Sequence, residues 1–105
     1  MKQYAVKITD RALNDMTAIY EYIATNLQAP DTAMEQYDRI ADRIESLSEF
    51  PKRYKLLESQ PEREMGFRQM TVDSYSAIYV VEGICVTVLR VLYSSSDIAS
   101  RLLNG

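Results

Sequence analysis

Apolar residues along this chain change their spacing twice, and each change marks an element. From Gln3 to Ile8 they alternate: Tyr4, Val6 and Ile8 fall on one side, Gln3 and Lys7 on the other, as in a half-buried strand. Thr9 then offers a hydroxyl N-cap, and Asp10 puts a carboxylate in the first turn, where the helix dipole favours it. Ala12, Met16, Ile19, Tyr20, Ile23 and Leu27 follow at three- and four-residue steps, predicting an amphipathic helix to about Leu27. Pro30 suits the first position of a second helix, whose face is Ala33, Tyr37, Ile40, Ile44 and Leu47, with Phe50-Pro51 closing it. Two such helices joined by a short break predict an antiparallel hairpin.

Lys52 to Gly66 has no clean period and reads as a long connection. Beyond it the period becomes two. Phe67–Val72, Tyr75–Val81 and Ile84–Tyr93 are runs of β-branched and aromatic residues, separated by Asp73-Ser74 and Glu82-Gly83. Gly83 supplies the positive φ that a tight hairpin turn requires. A three-stranded antiparallel meander follows, and Ser96–Leu103 has the composition for one or two final helical turns. The predicted fold class is α+β, in the order β-α-α-β-β-β. The hairpin covers one face of a small, mainly antiparallel sheet, because neither layer can bury its apolar side alone. The other face is expected to be open to a partner, and the pattern does not say where the first strand joins.

Composition narrows the chemistry. The 105 residues have room for one domain, and no apolar run approaches the ~20 residues that span a bilayer. Nothing at the start resembles a signal peptide, and the single cysteine fits a reducing cytoplasm. Cys85, between Ile84 and Val86, reads as a small core residue. The chain has no histidine, which removes Ser-His-Asp and Cys-His catalysis and every His-ligated metal site; no metal or cofactor is expected. A net charge of −3 speaks against sequence-specific DNA binding through phosphate contacts. The acids crowd the hairpin (Asp31, Glu35, Asp38, Asp42, Glu45 and Glu49 on its second half) with Arg39 and Arg43 at spacings that make a solvated face rather than a catalytic dyad.

Several local patterns, in register over nearly the whole chain, resemble the RelE/ParE toxin superfamily. They are Tyr4-x-Val6-x-Ile8-Thr9, Ala12-Leu13-x-Asp15-Met16, Ile19-Tyr20-x-Tyr22-Ile23, Phe67-Arg68-Gln69-Met70-x-Val72-Asp73-x-Tyr75, Ile78-Tyr79 and Val88-Leu89-Arg90-Val91-Leu92-Tyr93. The resemblance implies the toxin half of a bacterial type II toxin–antitoxin pair, held inactive by a cognate antitoxin whose binding segment folds on contact. RelE-like members cut messenger RNA in the ribosomal A site; ParE-like members inhibit DNA gyrase. Metal-free cleavage needs cations around the phosphorane and groups that move protons. Arg68 matches a basic position of the cutters, but Met70 and Ser76 stand where they carry further cations, and nothing basic follows Tyr93 in the Ser94-Ser95-Ser96-Asp97 run. The resemblance therefore favours a ParE-like binding toxin with gyrase as precedent. Ribosome-dependent cleavage is the alternative, with Arg68 and Tyr93 as its candidate catalytic residues; a degenerate antitoxin-binding module is a third.

Each candidate also has a plain structural reading. Arg68, in phase with Met70 and Val72, leaves an apolar strand face, so it marks either an anion site or an ion pair with a helix carboxylate or Asp97. Arg90, in phase with Val86, Val88 and Leu92, poses the same question and would sit beside Arg68 if their strands were neighbours. Tyr93 is a proton carrier or a packed aromatic. Lys52, Arg53 and Lys55 form the one basic cluster, a solvated loop or a contact for an acidic antitoxin, with Tyr54 among them as an exposed anchor.

Overall fold

The computed structural model describes residues 3–104. Strand β1 (Ala5–Ile8) leads into helix α1 (Asp10–Glu21), which the Thr9 hydroxyl caps by accepting from the Ala12 N–H at 3.1 Å. Helix α2 (Pro30–Glu45) begins on Pro30, as expected where the missing N–H has no partner to lose. Strands β2 (Arg68–Val72), β3 (Tyr75–Glu82) and β4 (Cys85–Tyr93) follow, then a short helix α3 (Ile98–Asn104). Asp73 and Gly83 take the positive φ of the two hairpin turns.

The sheet order is β1-β4-β3-β2, so the first strand adds beside the last and runs parallel to it, pairing Val6 with Val86 and Ile8 with Val88. The other pairs are antiparallel. The hairpin lies on one face of this sheet. Ala12, Met16, Ile40, Ile44 and Leu47 from the helical side meet Met70, Val72, Ala77, Tyr79, Val86, Val88 and Val91 from the strands, all buried. This is the α+β arrangement the periodicity predicts.

Four details depart from expectation. The pairing of β3 with β4 slips at one place: Tyr79 faces Val88 while Ile78 faces Arg90, so Leu89 is an extra, bulged residue. A bulge flips the alternation, which is why Arg90 does not share a face with Val86 and Val88 and Val91 joins the core instead. The Leu89 carbonyl that the bulge frees is taken by the Thr9 hydroxyl at 3.0 Å. Second, α1 does not run on as an α-helix to Leu27. It passes at Tyr22–Asn26 into a π turn, closed by the Leu27 N–H donating to the Tyr22 carbonyl five residues back, and Leu27 is exposed.

Third, the sheet face away from the hairpin is not open. Ser76, Ile78 and Leu92 there are buried, Gly66 of the long connection lies against Val80, and Arg90, opposite Ile78, reaches the α3 carbonyl of Arg101. Fourth, Cys85 is only half-buried: it lies at the first position of β4, opposite Glu82 at the turn, where burial is incomplete. The long connection itself makes one antiparallel bridge, Leu56 with Arg68, and buries Leu57 and Glu62.

Candidate functional site

The residues singled out by sequence fall into two groups, one at β2 and the connection before it, the other on β4. Arg68 stands on β2, the outer strand, directly opposite Tyr79. Its guanidinium donates to the carbonyls of Tyr54 (2.7 Å) and Lys52 (3.3 Å), and the Tyr79 hydroxyl donates to the carbonyl of Pro51. This cross-strand pair therefore holds the start of the connection by three of its carbonyls. The expected ion pair with a helix carboxylate or Asp97 is not the one formed: the loop packs over that stretch of β2 and its carbonyls arrive first. Burial pushes the Tyr79 phenol up to about 12, so at neutral pH it is only a donor.

Lys52, Arg53, Tyr54 and Lys55 do come together with Arg68. Arg53 is turned inward on its own backbone, donating to the carbonyls of Glu49 and Phe50, and its guanidinium lies 4.7 Å from the centre of the Tyr54 ring. Tyr54 is half-buried against the core rather than a free anchor; its hydroxyl accepts from Arg43 at 3.0 Å, and that bond lowers its pKa below the ordinary tyrosine value. Lys52 and Lys55 are exposed. Arg53, Tyr54 and Lys55 line a shallow cleft of about 620 Å³ along the β2 edge, with Gln69 and Thr71.

Arg90 is two strands away from Arg68, because β3 lies between β4 and β2. The two arginines do not share a site. Arg90 is buried and makes a bidentate pair with Asp15 of α1, Nε to Oδ2 at 2.7 Å and Nη2 to Oδ1 at 3.0 Å; the hydrogen bond to Asp15 raises its pKa further. Asp15 also accepts the backbone N–H of Val91 at 3.0 Å, an edge donor left free where β1 has ended. Its two oxygens thus carry three bonds.

Tyr93 is exposed and stacks edge-on with Tyr75, ring centres 5.8 Å apart. Both line a groove of about 860 Å³. One wall is the end of α1 and the π turn (Ala18, Ile19, Tyr22, Ile23, Leu27); the other is Tyr75, Val91, Leu92 and Tyr93. Asp15 and Arg101 are also on its lining, with Thr32, Gln36 and Ser74. Burial raises the Tyr75 pKa, with the neighbouring Tyr93 phenol adding to it, so the Tyr75 ring is not set up as a base. The sequence pattern did not point to this groove: Leu27 looks like core at helical spacing, and only the π turn brings it out.

Ser76, in the place where the resemblance put a cation of the cutters, is fully buried. Its hydroxyl accepts from Gln69 at 2.9 Å and bonds the Ser94 hydroxyl at 2.7 Å, a closed chain of neutral groups behind the sheet. Among the described residues no group of three or more His, Cys, Asp or Glu is placed to hold a metal ion, and no helix is long and apolar enough to cross a membrane.

A family model described as the ParE toxin of the type II toxin–antitoxin system parDE matches residues 6–98. The chain belongs to the ParE toxin family. It is a type II toxin–antitoxin toxin of the ParE-like kind, within the wider RelE/ParE superfamily. Solved structures agree on the fold. The chromosomal ParDE system of P. aeruginosa superposes with a TM-score of 0.73 at 24% identity, covering 89% of this chain and 98% of that one. The RelBE2 toxin–antitoxin complex of Mycobacterium tuberculosis gives 0.62 at 20%, covering 91% and 97%. A free-state E. coli RelE mutant gives 0.60 at 17%, covering 97% and 92%. A search of curated protein sequences returns no significant match. Within this ParE family member, then, Met70 is buried and the Ser76 hydroxyl is bonded to neutral partners.

Proposed function

We propose that this ParE family toxin is one domain that acts by binding, not by cutting, with a DNA gyrase-like enzyme as the target class and a cognate antitoxin as its neutraliser. The observation that carries the reading is the state of the strand cations. Arg90 is neutralised by Asp15, Arg68 is spent on loop carbonyls, and Ser76 is sealed in a hydroxyl chain. A phosphorane would meet one oriented guanidinium and no proton shuttle beside it, and a catalytic set that acts as a unit loses most of its rate when partly kept. The solved relatives support an antitoxin partner, since two of them are described as toxin–antitoxin systems or complexes. The protein would carry out this role in the cytoplasm.

The test is induction of the gene followed by two readouts, with purified protein assayed in parallel. Growth arrest with intact messages, and inhibition of gyrase supercoiling in vitro, is the expected result. Messages cut within codons on ribosomes programmed with the purified chain would overturn it. Complex formation with an antitoxin but neither effect would mark a module that has lost potency.

A further inference from the structure

We infer that the loop Phe50–Lys55 is the surface this toxin turns to its target enzyme, and that the site it fits there is an apolar pocket rimmed by carboxylates. This rests on the binding-toxin reading above and adds the place and chemistry of the target contact.

Phe50 carries the first half of the case. It is 67% exposed, and its backbone sits at φ 48°, ψ 54°, in the left-handed region. A bulky side chain there is a steric outlier, and the following proline narrows the choice further. The turn itself is needed, because it joins Leu47 to Pro51, both buried. The Arg53 guanidinium fixes it by donating to the carbonyls of Glu49 and Phe50, and the Tyr79 hydroxyl by donating to that of Pro51. None of these bonds uses the Phe50 side chain. Glycine or asparagine would make the same turn with less strain. The fold does not require a phenylalanine here, and strain kept under an exposed ring points to a partner.

Charge carries the second half. Phe50–Lys55 holds Lys52, Arg53 and Lys55 and no carboxylate, in a chain of net charge −3. Two more cations converge on the same loop: Arg43 of α2 donates to the Tyr54 hydroxyl at 3.0 Å, and Arg68 of β2 to the Tyr54 carbonyl at 2.7 Å. Among the described residues the salt bridges are Arg39–Asp73 and Arg90–Asp15, so none of these five cations is in an ion pair. A projecting ring beside uncompensated cations complements an apolar pocket with acidic walls.

A protein fits this surface better than a nucleic acid does. Stacking on bases uses successive free rings, but one face of Tyr54 is already taken by Arg53, 4.7 Å from its centre. A phosphate backbone would also run on past the loop to α2, where exposed Asp38, Asp42 and Glu45 would repel it. A local acidic pocket meets neither obstacle.

The experiment measures two affinities of the purified full-length chain: for gyrase, through inhibition of supercoiling, and for the full-length product of the small open reading frame beside its gene. Phe50→Asn tests the ring, Lys52→Glu with Lys55→Glu tests the rim, and Met34→Gln, exposed on the first half of α2, is the control. The concentration for half-inhibition should rise about 30-fold or more for Phe50→Asn and about 10-fold for the double variant, and stay within about twofold for Met34→Gln. Antitoxin affinity should be unchanged in all of them, and the thermal midpoint of Phe50→Asn should hold or rise as strain is relieved. Undiminished inhibition in Phe50→Asn or in the double variant, or a fallen midpoint for Phe50→Asn, overturns the inference while the binding-toxin reading stands. Antitoxin affinity lost together with inhibition assigns the loop to the antitoxin, and a matching loss of binding to a short DNA duplex assigns it to nucleic acid; either overturns the inference. If the unaltered chain spares gyrase, the proposed target class falls and growth arrest on induction becomes the readout: arrest lost in Phe50→Asn supports the loop, and arrest kept overturns it. An unaltered chain with neither effect overturns both.

Discussion

Arg90 and Arg68 both rise from strands into space the helices and loop close over, yet they are satisfied in opposite ways. Arg90 meets a carboxylate in a seam where both side chains are nearly buried, 10% and 15% exposed. Arg68 meets only carbonyls, those of Lys52 and Tyr54. A carboxylate cancels the charge and fixes the geometry, joining α1 to β4; carbonyls fix the geometry and leave the charge in place. The β4 seam is therefore a structural joint and the β2 seam a clamp that still presents a cation. What decides is not the arginine but the neighbouring element: a helix brings Asp15, a loop brings only backbone.

The sharpest way to break the comparison is Asp15→Ala. It strands a buried guanidinium and the Val91 N–H together, so a loss of about 3–5 kcal/mol is expected in urea unfolding. Asp15→Ala combined with Arg90→Leu should recover much of that loss, because the uncompensated charge, rather than the missing pair, is the main cost.

On the β2 side the effects should be smaller. Tyr79→Phe leaves the buried Pro51 carbonyl without its donor and should cost about 1–3 kcal/mol by the same measurement. Arg68→Ala should cost about 1–2 kcal/mol and speed proteolytic cleavage within residues 52–66, while Arg68→Lys, which can satisfy one carbonyl but not both, should fall between. If Arg68→Ala proved as damaging as Asp15→Ala, the distinction between joint and clamp would fail.

Elements with a clean period were legible from sequence: Thr9 as cap, Pro30 as helix start, Gly83 as turn and the three meander strands all stand where alternation put them. The partners of Arg68 and Arg90 were not. Arg90 looked in phase with Val86 and Val88 because nothing in Val88-Leu89-Arg90 announces a bulge; the extra residue is stabilised from outside, by Thr9 and Asp15, residues 80 and 76 positions away from those they bond. The π turn was hidden for a related reason: Ile23 and Leu27 satisfy helical spacing whether or not the intervening turn is α. The side of the sheet expected to be open is covered by the aperiodic connection and by α3, segments whose place no periodicity could give.

A second ion pair sharpens the contrast from its weak end. Asp73, at the β2–β3 turn with φ 56°, accepts from Arg39 at 2.8 Å and from Gln36 at 3.0 Å, both on α2; the Arg39 and Asp73 side chains are about half exposed. Those hydrogen bonds, Arg39's first, hold the Asp73 carboxyl below its ordinary 3.8. A lowered folded-state pKa stabilises the fold fully above the unfolded value and is lost as pH falls from there through the folded one. The thermal midpoint should thus drop as pH is taken from about 5 to below 3.8. Asp73→Asn, which tolerates the left-handed backbone, should flatten that part of the drop and change little at pH 7, since solvent screens an exposed pair. The Asp15→Ala loss, by contrast, should persist at pH 7, because burial rather than titration sets it. An Asp73→Asn variant as unstable at pH 7 as Asp15→Ala would show that exposure does not rank these contacts.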